Sequence, residues 1–353
     1  MTNTYRWVQW NRHKRIYDAA LALACAGFVG IFVGVGSLAY PAPGNISAPV
    51  LVIRALGLLA IVLLHVILLI GPLSRMTPLV APLLYNRRHL GVTFFLVALA
   101  HGTLSLVYYG GFGVRDPVSA VLAGYGSFGS VSGFPFEILG FAALLIFFVM
   151  AATSHDFWLA NLSARVWKSV HMLVYVAYGL VVLHVALGAL QSEQSPVYAA
   201  LLIGGAALVG ATHAVAGFSE LARDGDGVDV PTDGAWLDAG PVGDLDEGGA
   251  RVVCVNGRER LAIVRHNGTI SAVSNVCAHQ GGPLGEGRVV DGCLTCPWHG
   301  YQYRPADGRS PPPFTEKIPT YGVRLEGGRV LVSPNANPPG TPVEPARIPE
   351  DAS

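Results

Sequence analysis

The feature that most constrains this chain is a set of long apolar stretches in its first 218 residues. A helix that crosses a bilayer needs about 20 mostly apolar residues, since the hydrocarbon core is about 30 Å thick and a helix rises about 1.5 Å per residue. Six stretches meet this requirement, at residues 19–40, 50–73, 90–109, 136–153, 166–190 and 197–218. The sequence therefore predicts a six-helix transmembrane bundle rather than one water-soluble domain.

Charge is divided unevenly along the chain. Residues 1–218 contain 11 Lys and Arg against 5 Asp and Glu, whereas residues 219–353 contain 12 against 18. The overall net charge of zero is thus a cancellation between a basic, charge-poor first part and an acidic second part. We expect the two parts to have different surroundings, membrane and water, and neither part supports a basic nucleic-acid-binding surface.

Lys and Arg in the connections between the stretches are concentrated on one side of the predicted membrane. That side carries Arg6, Arg12, Lys14, Arg15, Arg75, Arg87, Arg88, Arg165 and Lys168, while the other carries only Arg54 and Arg115. By the positive-inside rule the N-terminal segment, residues 1–18, is cytoplasmic. Six spans then return the C-terminal part to the cytoplasm as well.

The C-terminal part reads as a linker, a domain and a tail. Residues 219–233 are polar and rich in Asp and Gly, which is typical of a linker. Over residues 234–335, short runs of β-forming residues alternate with Gly-rich turns, so we predict a small all-β domain. Residues 336–353 are rich in Pro, and we predict a disordered tail.

Two short motifs in the β-domain combine thiols and imidazoles. Cys277-Ala278-His279 and Cys296-Pro297-Trp298-His299 each supply one Cys and one His. Two Cys and two His are the ligand set of a Rieske [2Fe–2S] centre, and a structural zinc site with mixed ligands is the alternative. Cys293 also forms a C-x-x-C with Cys296, although we expect Cys293 and Cys254 to be buried strand residues.

The sequence around these motifs, NVCAHQGGPLGEGRVVDGCLTCPWHGYQYRPADG, closely resembles the Rieske family. The resemblance covers about a hundred residues, 235–334. It implies that Cys277 and Cys296 hold the inner iron of the cluster. His279 and His299 are then implied to hold the outer iron, near solvent, where a partner can dock.

This resemblance also has informative departures. Rieske proteins of quinol-oxidising complexes have two further Cys, and here Gly282 and Trp298 stand in the corresponding places. Tyr301 stands where those proteins have a Ser that hydrogen-bonds a bridging sulfide. Because fewer hydrogen bonds to the sulfurs lower the reduction potential, the resemblance implies a low-potential, ferredoxin-like centre.

Six histidines lie in or at the edge of the apolar stretches: His65, His89, His101, His171, His184 and His213. Ionisable residues at membrane depth are costly, which makes each a candidate functional residue, although a helix–helix hydrogen bond is the alternative for any one of them. Facing histidines on two helices can be the axial ligands of a b-type heme.

The spacing of these histidines predicts one or two hemes. His89 and His101 are 12 residues apart, and His171 and His184 are 13 apart, or about 18 and 20 Å along straight helices. We predict an outer heme between His101 and His184 and an inner heme between His89 and His171, with His65 or His213 as alternative partners of His171. On a straight helix, His89 and His101 lie about 120° apart around the axis, and His171 and His184 about 140° apart, so bringing both histidines of one helix to the same face requires bending.

Residues 86–109 and 151–186 resemble the ferric-reductase-like transmembrane domain, and most of all the heme-binding subunit of bacterial methionine-sulfoxide reductase systems. The matching motifs are Arg87-Arg88-x-Leu90-Gly91 followed by His101, and Trp167-x-x-x-His171-x-x-x-Tyr175 followed by His184. The resemblance implies a six-span heme domain over residues 19–218 in a bacterial inner membrane. Ferric reductases append a flavin- and nicotinamide-binding module, and here the Rieske-like sequence occupies that position.

These observations together predict an oxidoreductase-type electron-transfer protein without its own flavin or nicotinamide domain. Electrons would pass between a cytoplasmic Rieske cluster and intramembrane heme. A separate cytoplasmic reductase or ferredoxin is the expected donor, and a quinone or an external redox protein is the expected acceptor. The alternatives are a membrane-anchored Rieske ferredoxin that supplies a soluble oxygenase, and a redox sensor.

Overall fold

The structure, a computed structural model, describes most of the chain. The described residues are 12–39, 46–114, 116–122, 131, 133–162, 164–192, 196–225, 236–255, 259–279, 281–297, 300–312 and 314–349. They form two compact units, one helical and one that contains the β-strands. The first eleven residues and most of the predicted linker, residues 226–233, lie outside the described part.

Ten α-helices occur in the described residues. They are α1 (Arg12–Ala39), α2 (Ala48–Met76), α3 (Ala81–Tyr109), α4 (Pro117–Leu122), α5 (Glu137–Thr153), α6 (Asp156–Asn161), α7 (Ala164–Met172), α8 (Val174–Leu187), α9 (Ala189–Ser192) and α10 (Pro196–Gly225). Five helical segments are long and apolar enough to cross a membrane. The fourth predicted stretch forms α5, which is apolar but has only 17 residues, so the predicted count of six spans is matched by five spans and one shorter apolar helix.

Two helices extend beyond the boundaries predicted from hydropathy. Helix α1 begins at Arg12, so charged residues of the predicted N-terminal segment are already helical. Helix α10 continues to Gly225, past the predicted end of the last span at residue 218. Ser, Glu, Leu, Ala and Arg at 219–223 tolerate or favour helix well, and polarity alone is therefore a poor indicator of a linker here.

The fifth predicted span is interrupted between its two histidines. Helix α7 ends at Met172 and α8 begins at Val174, with Leu173 between them. Helix α8 is followed after Gly188 by the short helix α9. The angle of about 140° between His171 and His184 assumed one uninterrupted helix, which this segment is not.

Eleven β-strands occur in the described residues. They are β1 (Leu237–Pro241), β2 (Ala250–Val255), β3 (Glu259–His266), β4 (Thr269–Ser274), β5 (Arg288–Val290), β6 (Cys293–Thr295), β7 (Gln302–Tyr303), β8 (Thr320–Tyr321), β9 (Val323–Glu326), β10 (Arg329–Val332) and β11 (Ala346–Arg347). They form three antiparallel sheets, in the orders β1-β10-β9, β11-β4-β3-β2 and β5-β6-β7, with β8 also paired to β4. The predicted all-β domain is confirmed.

Strand β3 separates two hydrophobic cores because successive side chains of a strand point to opposite faces. Leu261 and Ile263 contribute to one core. Ala262 and Val264 contribute to the other, which also contains Cys277 and Cys296. The second core is therefore the one that supports the two Cys-and-His motifs.

The C-terminal tail is ordered over its described residues, 336–349, and the prediction of a disordered tail is wrong for them. Strand β11 pairs with β4, and the backbone N–H of Val343 donates to the carbonyl of Ala306 at 2.8 Å. Arg309 donates from Nε to the carbonyl of Gly340 at 2.7 Å. Proline has no N–H and cannot donate such bonds, but the residues between the prolines reach the edge of the sheet and form hydrogen bonds there.

Candidate metal centres

His101 and His184 face one another within the helical unit. His101 lies on α3 and His184 near the end of α8, and their ring centroids are 6.4 Å apart with an angle of 80° between the ring planes. The Nδ1 atom of His101 is 2.9 Å from the carbonyl oxygen of Ile53. The Nδ1 atom of His184 is 2.9 Å from the carbonyl oxygen of Phe136. Each ring thus donates from Nδ1 to a backbone carbonyl, which leaves Nε2 as the electron-pair donor.

The separation of the two rings fits two imidazoles that bind one metal ion. A metal–imidazole bond is about 2 Å long, and Nε2 lies about 1.1 Å from the ring centroid, so a linear pair has its centroids roughly 6.3 Å apart. The observed 6.4 Å agrees with this value. Among the ring contacts of the described residues, His101 and His184 are the two candidate histidines whose rings lie next to each other.

Glycines allow neighbouring helices to approach these two rings. A methyl group added at Gly57 would lie 3.0 Å from Cε1 of His101. One added at Gly140 would lie 2.8 Å from Cε1 and Nδ1 of His184. Sequence analysis missed both residues, although glycine inside an apolar stretch signals a close approach of helices.

The other candidate histidines have different partners. His65 is 9% exposed, and its Nε2 atom is 2.9 Å from the hydroxyl of Tyr178 on α8, which is the helix–helix hydrogen bond considered as the alternative. The Nδ1 atom of His89 lies 2.8 and 3.1 Å from the carboxylate oxygens of Asp18. His213 is hydrogen-bonded through Nδ1 to the carbonyl of Val209 in its own helix.

His171 occupies a polar corner at the end of α7. Its ring stacks on Trp167 with centroids 3.8 Å apart, and its Nδ1 is 2.9 Å from the Trp167 carbonyl oxygen. Its Nε2 is 3.3 Å from the hydroxyl of Ser154. Among the described residues, no hydrogen bond or ring contact joins His171 to His65, His89 or His213, and the predicted inner pairing stays a prediction.

In the β-domain, the first Cys-and-His motif forms a tight loop. Cys277 is 2% exposed. Its backbone N–H donates to the carbonyl of Gly282 at 2.9 Å, and the N–H of Gly281 donates to the carbonyl of Cys277 at 2.7 Å. Gly281 has a φ of 71°, a left-handed conformation that glycine adopts without strain. His279 lies within this loop.

The second motif repeats the same hydrogen bonds. Cys296 is 1% exposed, and its N–H donates to the carbonyl of Tyr301 at 2.7 Å. The N–H of Gly300 donates to the carbonyl of Cys296 at 2.9 Å, and Gly300 also has a φ of 71°. Two loops of one design therefore present the two cysteines to a common core.

The fourth predicted ligand, His299, lies outside the described residues, as does Trp298. Within the described residues, no group of three or more His, Cys, Asp and Glu side chains is arranged to hold a metal ion. The structure thus places Cys277, His279 and Cys296 in the two loops, but the described residues do not include the fourth predicted ligand.

Cys254 and Cys293 are buried strand residues, as expected. Cys254 lies in β2 and Cys293 in β6, and each is 7% exposed. Burial raises the pKa of the Cys293 thiol. A raised pKa lowers the fraction of reactive thiolate, which argues against redox chemistry in the C-x-x-C sequence.

Comparison with known protein families matches both parts of the chain. Residues 235–322 match the Rieske [2Fe-2S] domain, and residues 56–182 match the ferric reductase like transmembrane component. The chain belongs to the Rieske family and carries a ferric-reductase-like transmembrane domain. It is an integral membrane protein of electron transfer.

Individual relatives resemble one part each. The ferredoxin component of the naphthalene 1,2-dioxygenase system of Pseudomonas aeruginosa is 34% identical over 98 residues, which are 28% of this chain and 93% of that protein. The protein-methionine-sulfoxide reductase heme-binding subunit MsrQ of Ralstonia nicotianae is 34% identical over 133 residues, 38% of this chain and 56% of that subunit. The ferredoxin of carbazole 1,9a-dioxygenase from Nocardioides aromaticivorans is a similar solved structure, with 23% identity, a TM-score of 0.27, and coverage of 29% of this chain and 99% of that one.

Within the Rieske domain, one hydroxyl contacts a predicted cluster ligand. Tyr303 Oη lies 3.3 Å from Sγ of Cys277. Burial, followed by the negative charge of Cys277, raises the pKa of Tyr303 well above its usual value, so the hydroxyl keeps its proton and is the hydrogen-bond donor to a thiolate at Cys277. The sequence analysis considered only the Ser that is absent at position 301 and overlooked the hydroxyl of Tyr303.

We expect Tyr303→Phe to lower the midpoint potential of the Rieske cluster. A hydrogen bond to a sulfur ligand stabilises the reduced, more negative cluster, and its loss, at about 1 kcal/mol, corresponds to roughly 40 mV for one electron. A redox titration followed by EPR measures the change. Tyr321→Phe is the matched control, since Tyr321 is buried and donates to Glu259 instead. An equal potential in both variants would contradict the prediction.

We also expect Gly140→Ala to weaken heme binding in the ferric-reductase-like domain by about 10-fold or more, because the added methyl group displaces the ring of His184. Heme per purified chain, determined by absorbance, checks this. Gly179→Ala is the control, since a methyl group there meets nothing within 4 Å. Equal heme content in the two variants would refute the role of Gly140.

Proposed function

We propose that this protein transfers electrons between a cytoplasmic Rieske cluster and a b-type heme inside the membrane. Cys277, His279, Cys296 and His299 are the proposed ligands of the cluster, and His101 and His184 those of the heme. The observation that carries the proposal is the facing of His101 and His184 at 6.4 Å, in a chain that also has a Rieske domain. Heme and cluster each supply one-electron chemistry when bound.

The chain's own residues orient the ligands of both groups. The carbonyls of Ile53 and Phe136 hold the two imidazole rings in one tautomer and leave Nε2 of each as the electron-pair donor. Gly57 and Gly140 leave room for these rings against the neighbouring helices. In the Rieske domain the two hydrogen-bonded loops hold Cys277 and Cys296 in a core from which water is excluded.

A second, inner heme on His171 is a further part of this proposal. Its possible partners are His65, His89 and His213. The hydrogen bond of His65 engages Nε2, whereas those of His89 and His213 engage Nδ1. Since a metal-bound histidine usually donates its second nitrogen to a carboxylate or carbonyl, His89 and His213 fit axial ligation better than His65 does.

A separate cytoplasmic reductase or ferredoxin is the proposed donor, and a quinone or an external redox protein is the proposed acceptor. Both termini are proposed to face the cytoplasm of a bacterium, with the helices in its inner membrane. The excess of Lys and Arg in the connections on one side supports this orientation.

A second candidate function is a membrane-anchored Rieske ferredoxin that supplies a soluble oxygenase. The observation in its favour is the 34% identity with the naphthalene dioxygenase ferredoxin component, which spans 93% of that protein. In that case the helices serve as an anchor and bind no heme. Heme content therefore separates the two candidates.

We expect His101→Ala and His184→Ala each to abolish the bands of the outer heme in reduced-minus-oxidised spectra of the purified full chain. Either change removes one of the two histidines that would hold this heme, while the Rieske EPR signal stays. His155→Ala is the control, because His155 accepts a hydrogen bond from Phe157 at the start of α6 and is no proposed ligand. Absence of b-type bands in the wild type would favour the anchored ferredoxin, and unchanged bands in both variants would overturn the ligand assignment.

A further inference from the structure

An aromatic ring covers one of the proposed cluster ligands. The ring of Tyr301 stacks on His279 with the centroids 4.1 Å apart and the planes only 10° apart. The backbone carbonyl of Tyr301 accepts the N–H of Cys296 at 2.7 Å. Tyr301 therefore contacts both cluster loops, closing the second with its carbonyl and covering the histidine of the first with its ring.

The hydroxyl of Tyr301 is hydrogen-bonded to a carboxylate. It donates to Oε1 of Glu316 at 2.9 Å. The other oxygen of Glu316 accepts the N–H of Thr315 at 3.0 Å. The position of Tyr301 thus carries a hydroxyl, but that hydroxyl already has an acceptor.

The loop that carries Glu316 is held at both ends. The N–H of Ser310 donates to the carbonyl of Glu316 at 2.9 Å, and Arg309 pairs with Lys317 in an isolated antiparallel bridge. Phe314, from the same loop, packs against Tyr301 with the centroids 4.7 Å apart and is 45% exposed. The ring of Tyr301 therefore contacts both His279 and Phe314.

We propose that Tyr301 is a positioning residue for His279 and that, with Glu316, it lowers the reduction potential of the cluster. Stacking fixes the plane of the imidazole. The carboxylate of Glu316 engages the hydroxyl that would otherwise be available to the sulfurs, and its negative charge opposes the addition of an electron to the cluster. The inference rests on the proposed role of His279 as a ligand.

The test is an EPR-monitored redox titration of the full-length protein at one neutral pH. In Glu316→Gln the negative charge is removed, so at a fixed ambient potential near the midpoint the ratio of reduced to oxidised cluster rises severalfold. Glu326→Gln is the matched control, because Glu326 carries the same charge but pairs with Arg324 on β9. Equal titration curves for Glu316→Gln and Glu326→Gln would overturn the proposed effect on potential.

The positioning role has a separate spectroscopic readout. Tyr301→Phe keeps the stacked ring and leaves the g-values and histidine nitrogen couplings unchanged, whereas Tyr301→Ala shifts both. If Tyr301→Ala loses the cluster, Tyr301→Leu, which fills the space without stacking, replaces it. Wild-type g-values and nitrogen couplings in Tyr301→Ala, or in Tyr301→Leu where that variant replaces it, would overturn the positioning role. A wild-type chain without a Rieske signal would instead overturn the proposed function itself.

Discussion

The structure depends on how an imidazole ring satisfies its two nitrogens where water is absent. A polar group in hydrocarbon without a partner is costly, and each of the six candidate histidines has at least one hydrogen bond. The nitrogen that is used decides what the ring can still do. His101 and His184 use Nδ1 to donate to backbone carbonyls and keep Nε2 as the electron-pair donor, whereas His65 has Nε2 engaged by Tyr178.

In the Rieske domain, backbone hydrogen bonds position the two cysteines. Each cysteine opens a loop that is closed by its own N–H and by a glycine in the left-handed conformation. Because the loops are fixed by the backbone, nearby side chains can adjust the cluster without holding it. The hydroxyl of Tyr303 contacts Cys277, whereas that of Tyr301 donates to Glu316, and we propose that the two have opposite effects on the reduction potential.

Much of this arrangement could be predicted from the sequence, because the signals were local and repetitive. Long apolar stretches predicted the membrane helices, and the two Cys-and-His motifs predicted the Rieske domain. The pairing of His101 with His184 was predicted from the spacing of the histidines and from the resemblance. The break at Leu173, between α7 and α8, was not predicted.

Other features could not be predicted, because no residue pattern in the sequence indicates them. The partners of His101 and His184 are backbone carbonyls 48 positions away, and any residue has a carbonyl. The proline-rich tail was read as disordered, but an extended chain can also complete a sheet edge, as β11 does with β4. The pairing of His89 with Asp18 joins two helices whose contact depends on the packing of the whole bundle.

The most direct measurement is rapid anaerobic reduction of the Rieske cluster in the full-length protein, with absorbance followed at the heme bands. If one chain transfers electrons from the cluster to the heme, the heme becomes reduced as the cluster is reoxidised, and the two changes have the same rate. A cluster that stays reduced beside an oxidised heme of higher potential would contradict the claim that one chain carries electrons between the two.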